Sequence, residues 1–122
     1  MRLLIIDDHA GARQLIREMF ACATSEICEC ACAEEAIALC PGFRPDIATV
    51  DYRRPGKDGI WAIEQIRAQH PAARLILITH CNMAAVHERA QRAGADRVVI
   101  KDWLLELPEY VRALRRAAGG AP

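Results

Sequence analysis

The sequence predicts an α/β domain built on a doubly wound parallel sheet, with five strands alternating with five helices. Three observations carry that expectation. Short runs such as Leu3-Leu4-Ile5-Ile6 and Leu75-Ile76-Leu77-Ile78 are continuously apolar rather than alternating, the pattern of strands covered on both faces. The segments between such runs have apolar residues at a period near 3.6, and right-handed crossovers would place these helices on both faces of the sheet. Finally, the strand runs end in polar residues that can do chemistry: Asp7 and Asp8, Asp51, Thr79 and Lys101. Ligands of open α/β sheets bind at that carboxyl edge, in the crevice formed by the loops leaving the strands.

Each element has its own warrant. The first strand, Leu3 to Ile6, stops at the Asp7-Asp8 pair, and the helix after it carries Leu15, Ile16, Met19 and Phe20 as one apolar stripe. A second strand is expected near Ile27 to Ala31, then a short helix from Glu34 to Leu39 that Pro41-Gly42 should stop. The third strand, Asp46 to Val50, is short, contains β-branched residues and follows Pro45; it delivers Asp51 to the sheet edge. Pro55, Gly56, Asp58 and Gly59 supply turn chemistry, and a helix from Gly59 to Gln69 presents Ile60, Ile63 and Ile66 before His70-Pro71 ends it. Trp61 lies off that stripe. A fourth strand, Arg74 to Thr79, brings a hydroxyl to the same edge as the carboxylates. A helix from Ala84 to Ala93 ends at Gly94, and a fifth strand, Val98 to Ile100, finishes at Lys101. The last helix starts near Pro108, a favoured first-turn position, and runs to about Ala118, leaving Gly119 to Pro122 as a linker-like tail.

At 122 residues with 52% hydrophobic and 26% charged side chains, the chain suits one domain with a single core, residues 1–118, followed by the tail at 119–122. A formal net charge of zero gives no electrostatic case for nucleic acid or an anionic membrane as the main partner. The apolar runs are far shorter than a membrane span, and Met1-Arg2 leads straight into a strand, so a cytoplasmic protein is expected. Six cysteines invite a metal or disulfide reading, but Cys28, Cys30 and Cys32 alternate. On an extended segment their Cα atoms would be roughly 6.6 Å apart on one face, side by side rather than converging on a metal. Buried apolar thiols are the expectation.

The four strand ends compose a site. Three carboxylates in one crevice repel one another unless a cation sits among them, and a hard divalent ion held by carboxylates, a carbonyl and water is what Mg²⁺ favours. Thr79 and Lys101 would offer a hydroxyl and an ammonium to phosphate oxygens. The remaining carboxylate can serve as a nucleophile that forms an acyl phosphate.

The order and spacing of these pieces resemble a response-regulator receiver domain of two-component signalling, a stand-alone CheY-like one, over nearly the whole chain. The matching residues are Asp7-Asp8 after the first strand, Asp51 with Pro55 and Asp58-Gly59 following, Thr79, Ala93-Gly94-Ala95, and Lys101. The resemblance implies a flavodoxin-like sheet of order 2-1-3-4-5. It implies Asp51 as the phosphoacceptor, Asp8, Asp51 and the Arg53 backbone carbonyl as Mg²⁺ ligands, Asp7 as a ligand through water, and Thr79 and Lys101 as phosphate contacts. It also implies a sensor histidine kinase or histidine phosphotransfer protein as donor, an output protein as listener, and no enzymatic activity beyond the domain's own phosphoryl transfer and dephosphorylation. The Asp8-His9 and Lys101-Asp102 pairs are similar to those of regulators that carry a helix-turn-helix domain, a segment not contained in these residues, so no intrinsic DNA recognition is expected. The domain is expected to be a monomer or weak dimer.

Other residues fit plainer roles. His9 and His80 flank the site as solvent-facing rim residues, Trp61 and Trp103 suit either partial core or partner contact, and Arg112, Arg115 and Arg116 suit a solvated helix face. Two positions depart from the family pattern. His80 follows the threonine where a small residue is usual, and Val98 stands three residues before the lysine where an aromatic usually swings inward; Arg54 also replaces an apolar residue before Pro55. These departures predict a muted switch and open a second reading, an interaction module of receiver fold that depends little on phosphate. A third, a phosphatase using Asp51 on small esters, lacks substrate-pocket residues.

Overall fold

The computed structural model describes residues 1–22, 24–52, 58–80 and 82–101, together with Glu109, Tyr110, Arg112, Ala113 and Arg116. The elements bounded among the described residues are, in order, β1 (Arg2–Ile6), α1 (Ala10–Phe20), β2 (Glu26–Cys30), α2 (Ala33–Phe43), β3 (Ile47–Asp51), α3 (Gly59–Gln69), β4 (Arg74–Thr79), α4 (Ala84–Ala93) and β5 (Arg97–Ile100). The five strands form one parallel sheet in the order β2-β1-β3-β4-β5. After β1 the chain moves outward to β2 and then returns to the other side of β1 to lay down β3. The order therefore reverses between β1 and β3, which opens a crevice at their carboxyl ends.

Continuous apolar runs became strands because both faces are covered. Leu4, Ile6, Ala48, Val50, Leu75 and Leu77 face the core shared with α2, α3 and α4, while Leu3, Ile5, Ile47, Ile76, Ile78 and Val99 face the core that holds Ile16 and Phe20 of α1. These strand residues are at most 1% exposed, and each buried Leu or Ile contributes about 1.5–3 kcal/mol relative to exposure. Tyr110 packs against the α1-side core, and its ring lies 5.0 Å beneath the Arg97 guanidinium. Burial, then Asp96, raises the Tyr110 pKa above its ordinary value.

Several boundaries moved. The second strand starts at Glu26 rather than Ile27 and ends at Cys30; the third includes Asp51 but not Asp46; the fifth begins at Arg97. Leu15 is 43% exposed and outside the core, since Ile16 and Phe20 one turn apart carry the stripe with Met19 at its rim. The largest difference is α2, which passes through Pro41 and Gly42 to Phe43 and ends at Arg44, a left-handed cap with φ 54° whose N–H bonds the Cys40 carbonyl. Proline removes one donor without forbidding the helical φ, and Phe43 packs on the core beyond it, so packing outweighs the lost bond. Of the last helix, the described residues Glu109, Tyr110, Arg112, Ala113 and Arg116 are helical; Pro108, Arg115, Ala118 and the tail lie outside the described residues.

The described cysteines are free thiols. Cys28 and Cys30 of β2 pack on the same core with Cys40 of α2, whereas Cys32, beyond the strand at the N-cap of α2, is half-buried and Cys22 is exposed, so the expectation of buried thiols holds only in part. Burial first, then neighbouring thiols, pushes Cys30 up to about 12 and Cys40 up to about 11, so both are held protonated. Cys81 lies outside the described residues.

Candidate functional site

The crevice between β1 and β3 gathers three carboxylates. Asp7 follows β1 and is 1% exposed, Asp8 beside it is exposed, and Asp51 closes β3 at 8% exposure. One oxygen from each lies within 4.8 Å of the others. From across the sheet, the Lys101 Nζ reaches in after β5 to 3.3 Å from Asp7 Oδ2 and 3.5 Å from Asp51 Oδ1, with its side chain only 18% exposed. Thr79, 1% exposed, ends β4, the strand between them. Of the predicted site residues, Asp7, Asp8, Asp51 and Lys101 are thus brought together; Thr79 stands at the same edge, and Arg53 lies outside the described residues.

Local backbone chemistry explains why these groups point as they do. The Asp7 Oδ1 accepts from the His9 N–H at 2.9 Å, which folds the chain sharply after β1. His9 is exposed, as expected of a rim residue, and its Nδ1 accepts from the Ala12 N–H at 3.1 Å, capping α1. After β3, Tyr52 N–H continues the ladder to the Ile78 carbonyl at 2.9 Å, and Gly59 N–H returns to the Tyr52 carbonyl at 3.1 Å. Asp58 caps α3 by accepting from Trp61 N–H at 3.0 Å. A Cβ at Gly59 would lie 2.5 Å from the Asp51 carbonyl oxygen and 2.9 Å from the Tyr52 Cα, so only glycine lets α3 start this close beneath Asp51.

The chemistry of this donor set is specific. Among the described residues, the carboxylate oxygens of Asp7, Asp8 and Asp51 outnumber the Lys101 ammonium that reaches them, and oxygen-only ligands of this spacing suit a hard divalent cation. Sequence reasoning missed two participants, Arg13 and Glu29. Arg13 Nη1 donates to the Asp7 carbonyl at 2.7 Å, and its Nε to Glu29 Oε1 at 3.2 Å. Nothing in the spacing pairs residues 13 and 29; the contact exists because β2 lies beside β1.

The response regulator receiver domain family model matches residues 3–112. The chain belongs to the response-regulator receiver family. Among receiver-containing relatives, the chemotaxis protein CheY of Thermotoga maritima is 32% identical over 101 residues, covering 82% of this chain and 84% of that protein. The nitrate/nitrite response regulator protein NarL of Escherichia coli is 27% identical over 120 residues, covering 97% of this chain and 55% of that protein. The receiver thus spans about half the length of the first curated relatives it matches. A solved two-component response regulator of the LuxR family from Aurantimonas sp. SI85-9A1 superposes with a TM-score of 0.83 at 32% identity, covering 98% of this chain and 86% of that one. The fold and the signalling class of this receiver follow from these matches; receiver domains bind Mg²⁺ at an acidic pocket, and this chain carries an Asp7-Asp8-Asp51 cluster at the carboxyl edge of its sheet.

Proposed function

We propose that this receiver is a phosphoacceptor in a two-component phosphorelay: it takes a phosphoryl group from a phosphohistidine of a sensor histidine kinase or histidine phosphotransfer protein onto Asp51, and signals by protein contact. The reading rests on one juxtaposition, a nearly buried Asp51 carboxylate facing the Lys101 ammonium at 3.5 Å while Asp7 and Asp8 crowd the same crevice. An Asp51 oxygen attacks phosphorus; the new O–P bond forms as the N–P bond of the phosphohistidine breaks, and the imidazole leaves with that electron pair. Lys101 and Thr79 take the phosphoryl oxygens, the ammonium by charge and the hydroxyl by donation. Asp8, Asp51, the Arg53 carbonyl and, through water, Asp7 would hold Mg²⁺, which when bound draws negative charge off the phosphoryl oxygens.

In this proposal residues 1–118 form the receiver and 119–122 its tail, in the cytoplasm, as a monomer or weak dimer. The domain catalyses only its own phosphorylation and dephosphorylation, and it does not itself recognise DNA. Among the described residues no helix is long and apolar enough to cross a membrane. Labelling with a small acyl phosphate in Mg²⁺ tests the assignment: phosphate should appear on Asp51, disappear in Asp51→Asn and fall with chelator. Phosphate on another residue would sink it.

A second reading, a receiver-fold interaction module with a weak switch, is favoured by Val98, which is half-buried against the α4-side core and too small to act as a swinging aromatic. A phosphoryl mimic would then shift amides near Thr79 and Lys101 but not along α4. A wholesale α4 rearrangement would remove this second reading.

A further inference from the structure

The carboxyl end of β1 is held by a cation that does not belong to the acidic pocket's own set. Asp7 N–H donates to the Cys30 carbonyl at 3.0 Å, extending the β1–β2 ladder one residue past Ile6. The Asp7 carbonyl then accepts from Arg13 Nη1 at 2.7 Å. Arg13 itself is fixed from the other side by Glu29, the β2 residue opposite Ile5. The Glu29 carboxylate splits its two oxygens between arginines of α1, Oε1 accepting from Arg13 Nε at 3.2 Å and Oε2 from Arg17 Nε at 2.7 Å. With Arg13 21% and Glu29 27% exposed, the pair is partly withdrawn from water, and a planar guanidinium bonded along two edges has little freedom to turn.

The bonded carbonyl belongs to the peptide that joins Asp7 to Asp8. Turning that peptide would leave the Asp7 N–H on the Cys30 carbonyl but swing Asp8, the exposed member of the triplet. We infer that Arg13, seated on Glu29, is a positioning residue for the cation site: it fixes the Asp7–Asp8 peptide and so sets where the Asp8 carboxylate waits for the divalent ion. It acts through a backbone carbonyl and touches neither the ion nor the phosphoryl group. The inference rests on the proposed reading of the acidic cluster as a Mg²⁺ site.

Mg²⁺ alone, titrated into the full chain and read by the amide shifts of Asp8 and His9, tests it without phosphorylation. Arg13→Met should weaken Mg²⁺ binding about tenfold, the scale on which partners one shell out from a metal act. Glu29→Gln should weaken it in the same direction by less, and Arg13→Lys should fall between Arg13→Met and the parent, because an ammonium can keep one of the two contacts. Thermal unfolding in chelator measures folding separately. Ile16→Val, a core truncation on the same helix, should lower stability and leave Mg²⁺ affinity unchanged. If Arg13→Met does not fold, Glu29→Gln and Arg13→Lys carry the test. Parent-like Mg²⁺ affinity in the Arg13 and Glu29 variants, or equal weakening in Ile16→Val, overturns the role of Arg13. A parent chain that binds no Mg²⁺ overturns the cation-site reading itself.

Discussion

The two edges of the sheet handle charge in opposite ways. At the amino edge, Asp46 accepts from the Arg2 N–H at 2.7 Å, and Asp96 accepts from Leu75 N–H at 2.8 Å and from Arg67 Nη2 at 2.9 Å. Arg67 also donates to the carbonyls of Pro71, Ala73 and Gly94, tying the end of α3 to the loops before β4 and β5. Each acid there has its own donors. At the carboxyl edge, three acids are packed together and Lys101 is shared between two of them. The amino edge is arranged for stability, whereas the carboxyl edge holds an unfavourable cluster that a ligand can relieve.

Four experiments would break or sharpen that contrast. The largest effect is expected from Asp51→Asn, which should lose phosphoryl labelling completely without lowering the unfolding temperature in chelator, because it removes one of three mutually repelling charges; a marked loss of stability would show that Asp51 is structural. The converse is Arg67→Ala, which leaves the part-buried Ala73 and Gly94 carbonyls without its guanidinium and takes one of the donors of Asp96, and should cost about 2–3 kcal/mol in urea unfolding. Labelling of Asp51 should survive in the folded fraction, and loss of labelling there would couple the two edges.

Smaller effects come from the core between the edges. Cys30 and Cys40 titrate near 12 and 11 in the folded state against an ordinary thiol value of 9.0. Above that ordinary value the unfolded chain releases protons that the folded chain keeps, so stability should be flat below pH 9 and fall above it, by roughly 1 kcal/mol per thiol at pH 10. Tyr110, also raised, adds to the slope above its own ordinary value of 10.0. Replacing both thiols by alanine should flatten the slope; an unchanged slope would assign it elsewhere. The smallest effect is Thr49→Val in β3. The Thr49 hydroxyl is buried with no hydrogen-bond partner among the described residues, so an isosteric methyl should raise stability by up to about 1 kcal/mol. A loss would reveal a partner.

What was legible in the sequence follows the same division. The carboxyl edge could be read because each of its groups sits directly after an apolar run: Asp7, Asp51, Thr79 and Lys101 needed only the strand ends to be placed on one line. The amino-edge clamp could not, since Arg67 and Asp96 are ordinary surface-type residues whose meeting depends on α3 and β5 both reaching β4. Arg13 and Glu29 were hidden for the same reason. The course of α2 through Pro41 was misjudged because local propensity spoke against it while Phe43, two residues on, had a place in the core. Leu15 failed as a core residue because, at 100° per residue, it lies farther around α1 from the Ile16–Phe20 stripe than Met19 does, beyond the rim of the buried face.

The sharing of Lys101 has a further consequence for which ions the crevice can discriminate. Among the described residues, three carboxylates and the Lys101 ammonium together carry two formal negative charges in the cluster. A single monovalent ion cannot restore electroneutrality there, and two would have to crowd into a space that three oxygens already fill to within 4.8 Å. One divalent ion does so alone. Within that described set, charge alone favours a divalent over a monovalent ion, and raising the concentration of a monovalent salt should only screen the cluster from outside.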